Sequence, residues 1–175
     1  MRRYAAILVF LLVMAPLTAQ KQKREPLTEA QIEKIAEAGI DPNARVGLYT
    51  QYLNEHADEI KKLAGRAKSE ARSRRLSDAL EDFTALMDEL GENLDVYSER
   101  KGDIRKSLKP LTEATPRWLG ILRALAGEPG FDLARKEAIE SGQDLDDQAK
   151  RLLKEQTAYF DLHKDEAGQD RWEPK

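Results

Sequence analysis

Residues 76–97 read LSDALEDFTALMDELGENLDVY, and their large apolar residues recur at alternating spacings of four and three. The members of this series are Leu76, Leu80, Phe83, Met87, Leu90, Leu94 and Tyr97. Such spacing places all of them on one face of an α-helix, while the residues between them are mostly polar. Because an apolar face of this length must be covered, the stretch predicts a bundle of packed helices.

A second apolar series precedes the first, with the same alternation but out of phase with it by one residue. Its members are Val46, Tyr49, Leu53, His56, Ile60, Leu63 and Ala67. The change of phase predicts a turn or stutter between Gly65 and Arg75. We favour a turn because Gly65 and Ser69 weaken a helix. One long helix over residues 42–100 stays open as the alternative.

Capping residues set the start of the predicted bundle. Thr28 is followed three residues later by Gln31, the spacing of a capping box, so a short first helix should begin there. Gly39 supplies a left-handed stop, and Asp41 followed by Pro42 is typical of an N-cap and first helical residue. These signals predict a short N-terminal helix ahead of the two long apolar series.

The second half of the chain predicts two further helices. Gly102 and Asp103 form a stop and a new cap, and a glycine- and proline-containing loop spans 127–130. Pro110 and Pro116 predict kinks or a local break in the helix between these signals. The complete prediction is helices near residues 28–38, 42–66, 72–100, 104–126 and 132–163, with no sheet. The fold class is therefore predicted to be all-α, an up-down four-helix bundle with a short N-terminal helix.

The first residues of the chain have the layout of a secretory signal peptide. Arg2 and Arg3 precede an apolar run that ends before Pro16, and this run is far shorter than the roughly 20 residues that cross a bilayer. We expect cleavage after Ala19; retention as an anchor is the alternative, because Leu17 is larger than the residue preferred before a cleavage site. The predicted organisation is a signal peptide (1–19), a disordered lead-in (20–26), one helical-bundle domain (27–164) and a polar tail (165–175). The protein should therefore be periplasmic or secreted.

Composition narrows the function further. Removal of residues 1–19 leaves 27 basic residues against 32 acidic ones, a net charge of −5, which argues against nucleic acid as a partner. The chain contains no cysteine, so thiol catalysis, disulfides and thiolate metal ligands are excluded. We expect a monomer, because the apolar faces are broad enough to close within one chain.

No pattern in the chain indicates catalysis or a bound cofactor. The two histidines, His56 and His163, each precede a glutamate by three residues, whereas di-metal bundles place the glutamate three residues before the histidine. Serine nucleophile elbows and phosphate-binding loops are also missing from the sequence. We therefore expect a non-catalytic protein without a cofactor or metal.

One charge pattern stands out, and it supplies the candidate site. Residues 61–75, here called the basic tip, hold seven basic residues and one acidic residue, Glu70, whereas residues 76–99 hold eight acidic residues and no basic one. The seven are Lys61, Lys62, Arg66, Lys68, Arg72, Arg74 and Arg75. One interpretation is contact with an anionic envelope component or another protein, with at most peripheral membrane contact. The alternative is that these cations offset the acidic helix beside them.

The start of the first predicted helix also resembles a known motif. Leu27, Thr28 and Gln31 match the Leu-Thr-x-x-Gln motif of small exported helical stress proteins, the periplasmic chaperones and metal-stress regulators of the Spy and CpxP type. A second copy begins at Leu111 and Thr112 but has Thr115 where glutamine belongs. The resemblance implies an envelope-stress chaperone or sensor, as the alternative to our first expectation of an exported helical interaction or scaffold protein.

Overall fold

The computed structural model describes residues 25–168, and this part of the chain folds into five α-helices without a strand. The helices are α1 (Glu29–Glu37), α2 (Pro42–Ala64), α3 (Glu70–Glu99), α4 (Arg105–Ala124) and α5 (Asp132–Leu162). The all-α prediction is confirmed, and residues 42–100 form two helices rather than one. The predicted signal peptide (1–19), most of the predicted lead-in and the tail beyond Gly168 lie outside the described residues.

The predicted capping signals at the first two helices act as expected. The Thr28 hydroxyl accepts the Gln31 backbone N–H, and the Gln31 side chain accepts the Thr28 N–H at 2.9 Å, which completes a capping box. Gly39 adopts a left-handed backbone with φ of 58°. The Asp41 carboxylate then caps α2 by accepting the N–H of Asn43 at 2.9 Å. Local sequence therefore determines where α1 and α2 begin.

The core is built from the two apolar series and their counterparts on α4 and α5. Leu53, Ile60, Leu76, Leu80, Phe83, Leu86, Leu90, Leu94, Leu108, Leu111, Ala138 and Ala149 are completely shielded from solvent. Three members of the two series are not buried: His56 and Tyr97 are only partly buried, and Ala67 is exposed in the connection after α2. In the centre, the rings of Phe83 and Trp118 meet edge to face, 5.9 Å apart. These apolar contacts supply most of the cohesion of the bundle.

Each long helix packs against two others. α2 contacts α3 and α4, α5 also contacts α3 and α4, and α1 packs on α2. α3 and α4, which are consecutive in the chain, make no close backbone approach within residues 25–168. They meet only through side chains in the centre of the bundle. In the described part of the chain, none of the helices is sufficiently long and apolar to span a membrane.

Of the kinks or local break predicted at Pro110 and Pro116, the break does not occur, because one helix runs through both prolines. Both proline rings lie on the exposed side of α4, whereas Leu111, Thr115 and Trp118 face the core. Water can therefore hydrogen-bond the carbonyl groups that the prolines leave without a donor. Packing of the opposite face holds the helix together across both positions.

The connection from α3 to α4 is held by polar side chains from two other helices. Asn43 of α2 accepts the N–H of Ser107 at 3.1 Å and donates to the carbonyl of Asp103 at 2.7 Å. Gln156 of α5 accepts the N–H of Ile104 and donates to the carbonyl of Gly102. Buried backbone groups in this connection are therefore satisfied from both sides.

Candidate functional site

The basic tip lies where α2 ends and α3 begins. Ser69 caps α3, since its hydroxyl accepts the N–H of Arg72 at 3.2 Å. The connection between α4 and α5 lies at the same end of the bundle, because Glu128 reaches Arg72 and Gly130 lies against Ser73. This end therefore combines the seven predicted cations with residues of a second connection.

Arg72 is not available to a partner, because its guanidinium is buried inside the tip. The side chain is 8% exposed and donates from Nε to the carbonyl of Leu63 and from Nη2 to that of Ala64, both at 3.1 Å. These are carbonyls of the last turn of α2, which a helix leaves without a donor of its own. A cation at this position also complements the negative end of the helix dipole. Arg72 therefore serves the fold as the C-terminal cap of α2.

Glu128 is the acidic partner that joins the two connections. Its carboxylate accepts both bonds of Nη1 of Arg72, at 3.1 and 3.2 Å, and pairs with Nζ of Lys68 at 3.3 Å. Burial acts to raise the pKa of Glu128, but the hydrogen bonds from Arg72 and Lys68 outweigh it and hold this pKa below its ordinary value. The Arg72 guanidinium also lies 6.0 Å from the centre of the Phe131 ring.

The remaining tip residues divide into one local pair and four outward cations. Arg74 pairs with Glu70 one turn earlier at 2.7 Å, and both side chains are largely exposed. Four residues are exposed and have no ion pair or hydrogen bond to another side chain within the described residues. This set, called the outer four, consists of Lys61, Lys62, Arg66 and Arg75. Their charge faces solvent at one end of the molecule.

The contacts of the basic tip differ from both interpretations of its charge. The ion pairs that the tip makes within residues 25–168 end on Glu70 and Glu128, rather than on the acidic stretch 76–99. The charges of Arg72, Lys68 and Arg74 are therefore offset within the chain. The acids that offset them are Glu70 and Glu128, not those of the stretch 76–99. The sequence did not identify Glu128 as the partner of the tip, because a single acidic residue in a glycine-containing loop belongs to no periodic pattern. The outer four stay as the candidate contact for an anionic partner.

Two further exposed residues lie at the same end of the bundle. Arg123 lies in the last turn of α4, and Leu133 lies in the first turn of α5 with 71% of its surface exposed. Both flank the connection that Glu128 ties to the tip. The end of the bundle thus offers cations together with one projecting apolar side chain, a combination that suits the boundary between water and lipid head groups.

Each histidine contacts another part of the described chain. His56 Nε2 lies 3.1 Å from the carbonyl oxygen of Pro26, so it fastens the segment before α1 to α2. His163 ends α5, stacked on Tyr159 with ring centres 4.2 Å apart. Among residues 25–168, no group of three or more histidine, aspartate or glutamate side chains is arranged to hold a metal ion.

Comparisons with protein-family models, curated proteins and solved structures find no match to this chain.

Proposed function

We propose that this is an exported, non-catalytic interaction protein that uses the basic tip to contact an anionic component of the cell envelope. The observation that supports this most directly is the outer four, a set of exposed cations collected at one end of the bundle. Long cationic side chains on a turn can reach a flat anionic surface together, and each contributes about 1 kcal/mol near such a surface. The contact is therefore expected to be reversible and weakened by salt.

An up-down order of the four long helices is part of this proposal, because it would bring both connections to the same end. Hydrogen bonds support it: Arg45 and Tyr49 of α2 contact Tyr97 and Glu89 of α3, so the numbering rises in one helix as it falls in the other. The bonds between α4 and α5 run oppositely in the same way. They join Ile104 to Gln156 and Thr115 to Asp146.

In this arrangement α2 and α4 point their C-terminal ends toward the tip. The ion pair between Arg72 and Glu128 then joins the two connections, so they move together rather than as two independent loops. A rigid surface loses little conformational entropy when it binds, and this favours binding through several individually weak charge contacts. The N-terminal helix α1 is the short addition to this bundle.

Sedimentation with vesicles tests the proposed contact. The full chain should sediment with vesicles of phosphatidylglycerol and phosphatidylcholine at low salt, and not with phosphatidylcholine alone. Changing the outer four to Gln should weaken binding by about a hundredfold or more, given about 1 kcal/mol for each basic residue. Arg72 is left intact, since its loss would disturb the fold.

A matched control removes the same charge elsewhere. Lys106, Lys109, Lys154 and Lys164 are exposed and lie toward the opposite end of α4 and α5. Their change to Gln alters the net charge equally, so this variant should sediment much like the unchanged protein. Equal loss of binding in both variants would mean that net charge, and not the tip, governs the contact.

A second function is favoured by a different surface, a small groove beside α1. Ile40 and Val96 are 62% and 38% exposed there, next to Arg45 and Tyr97. Exposed apolar residues flanked by charge suit transient contact with unfolded clients, as expected of an envelope-stress chaperone. Such a chaperone should suppress aggregation of an unfolded client at or below equal ratios, and changing Ile40 and Val96 to Ser should reduce this. A scaffold protein should not suppress aggregation.

A further inference from the structure

The small groove beside α1 has a polar wall as well as an apolar one. The connection from α1 to α2 turns at Gly39, which has a left-handed backbone, and then continues through Ile40. Across the groove lie the last turns of α3, and the space between the two walls is about 280 Å³. Small-molecule sites usually occupy about 300–1,000 Å³, so this groove suits one or two side chains of a larger partner.

Arg45 supplies the polar wall, and part of its guanidinium is unused. Its Nε donates to the Tyr97 hydroxyl at 3.0 Å, which holds the arginine side chain against α3. Within residues 25–168, the two terminal nitrogens of Arg45 make no hydrogen bond or ion pair, and the Tyr97 hydroxyl proton has no acceptor. Guanidinium nitrogens beside a hydroxyl group form the donor pattern that a carboxylate binds.

The charge around this wall also favours an anion. Arg45 is level with Tyr97, so Arg100 lies only about one helical turn away along α3 and adds a second positive charge. None of the described residues that line the groove is acidic. Glu89, two turns before Tyr97, lies outside the lining and accepts the Tyr49 hydroxyl. Other acids of α3 act from farther away, and salt screens exposed charges over about 8 Å.

We propose that the groove binds an acidic side chain of an unfolded client segment, together with an aliphatic side chain next to it. The carboxylate accepts hydrogen bonds from Arg45 and Tyr97. The aliphatic side chain packs on Ile40 and Val96, which are 62% and 38% exposed. This inference rests on the client contact proposed above as the second function, and it names the chemistry of the client. Since an exposed ion pair alone contributes little, both parts of the segment are needed for binding.

NMR titration of the ¹⁵N-labelled full chain tests this site. The probes are two peptides, GSGELVGSG and GSGQLVGSG, both acetylated and amidated so that the glutamate is the only carboxylate. The ELV peptide should bind about three- to tenfold more tightly than the QLV peptide, because only the former pairs with the guanidinium. It should also shift the backbone amide signals of Ile40, Asn93 and Val96, which line the groove.

Variants separate the polar wall from the apolar one. Arg45→Gln should abolish the preference, so that both peptides bind this variant as weakly as the QLV peptide binds the unchanged protein. Arg151→Gln is the matched control, because Arg151 is exposed on α5 outside the groove and its change removes the same charge. This control should keep the preference. Val96→Ser should weaken both peptides and leave their ratio unchanged.

The carboxylate site and the chaperone function can fail separately. Equal binding of the two peptides to the unchanged protein, a comparison that needs no variant, would overturn the carboxylate site. So would a preference that survives Arg45→Gln. If the serine variants of Ile40 and Val96 still lose suppression of aggregation, the chaperone function stands without the acidic preference. Selective binding of the ELV peptide without any suppression of aggregation would overturn the chaperone function and retain the site.

A chain end is the other source of a carboxylate. The peptide GSGQLV with a free C-terminal carboxylate should bind more weakly than the amidated ELV peptide, because its charge follows the aliphatic residues instead of preceding them. Tighter binding of this peptide would assign the groove to chain ends and overturn the proposal of an internal acidic side chain.

Discussion

At the scale of single residues, Arg72 shows that a residue within a cluster of like charges in the sequence can be buried in the structure. Its guanidinium makes bonds to two carbonyls of α2 and to Glu128, 56 positions later in the chain. Lys62 and Arg75, of the same charge and close in sequence, point outward. Contacts with the end of α2 and with the α4–α5 connection distinguish Arg72 from these two residues, and such tertiary contacts have no signature in local spacing.

Arg72→Met is expected to destabilise the bundle by about 2–3 kcal/mol, because it removes several hydrogen bonds of a charged group and leaves Glu128 without its main partner. Thermal denaturation should show a midpoint lower by about 5–10 °C. Arg74→Met is the control, since the exposed Arg74–Glu70 pair should contribute less than about 1 kcal/mol. Equal midpoints for the two variants would contradict the capping role of Arg72.

Asp103 gives a prediction about pH. Hydrogen bonds from Arg105, at 2.8 and 2.9 Å, together with the N–H of Gly168, hold the pKa of Asp103 below its ordinary value. A carboxylate whose pKa is lowered by folding stabilises the protein above its unfolded pKa, and this contribution disappears as pH falls through the folded pKa. Asp103→Asn should therefore cost about 1 kcal/mol at pH 7 and progressively less as the pH falls toward 2.

Urea denaturation at both pH values measures this difference. The result expected is a gap between Asp103→Asn and the unchanged protein that closes on acidification. A gap of the same size at both pH values would show that the substitution acts through packing rather than through the charge.

At the scale of helices, periodicity and capping residues were sufficient to predict the number and approximate ends of all five elements. Gly65 and Ser69 correctly indicated the turn between α2 and α3, and the 127–130 loop was correctly placed. The local break that Pro110 and Pro116 allowed for is absent because tertiary contacts override local preference. α4 continues through Pro110 because its other face is packed, and its start is capped from α2 as well as by its own Asp103.

Asn43→Ala tests the cap supplied from α2. The variant should lose about 1–2 kcal/mol of stability, because the N–H of Ser107 and the carbonyl of Asp103 both lose a partner in a partly buried place. Asn93→Ala is the matched control, since Asn93 donates only to the carbonyl of Glu89 within its own helix. Chemical denaturation should therefore separate the two alanine variants, and overlapping curves would argue against the cap.

At the scale of the whole molecule, the apolar faces of the four long helices close on one another within a single chain. The large apolar residues left exposed among residues 25–168 are scattered: Leu133 at the tip, Ile32, Ile40 and Val96 in or beside α1, and Leu162 at the end of α5. Sequence patterns could not have located these residues, because their exposure depends on where the helices end relative to one another in the fold. Monomers of this kind ordinarily expose some apolar residues singly, and an obligate dimer would need a larger continuous patch.

The protein is therefore expected to be a monomer in solution. Gel filtration coupled to light scattering should give the mass of one chain at low and at high salt. A dimer formed between the basic tip of one chain and the acidic stretch 76–99 of another would be present at low salt and dissociate as ionic strength rises, since screening weakens attraction between exposed charges. A dimer that persists at high salt would instead require an apolar interface, and Leu133→Ser and Leu162→Ser would then show which end of the bundle provides it.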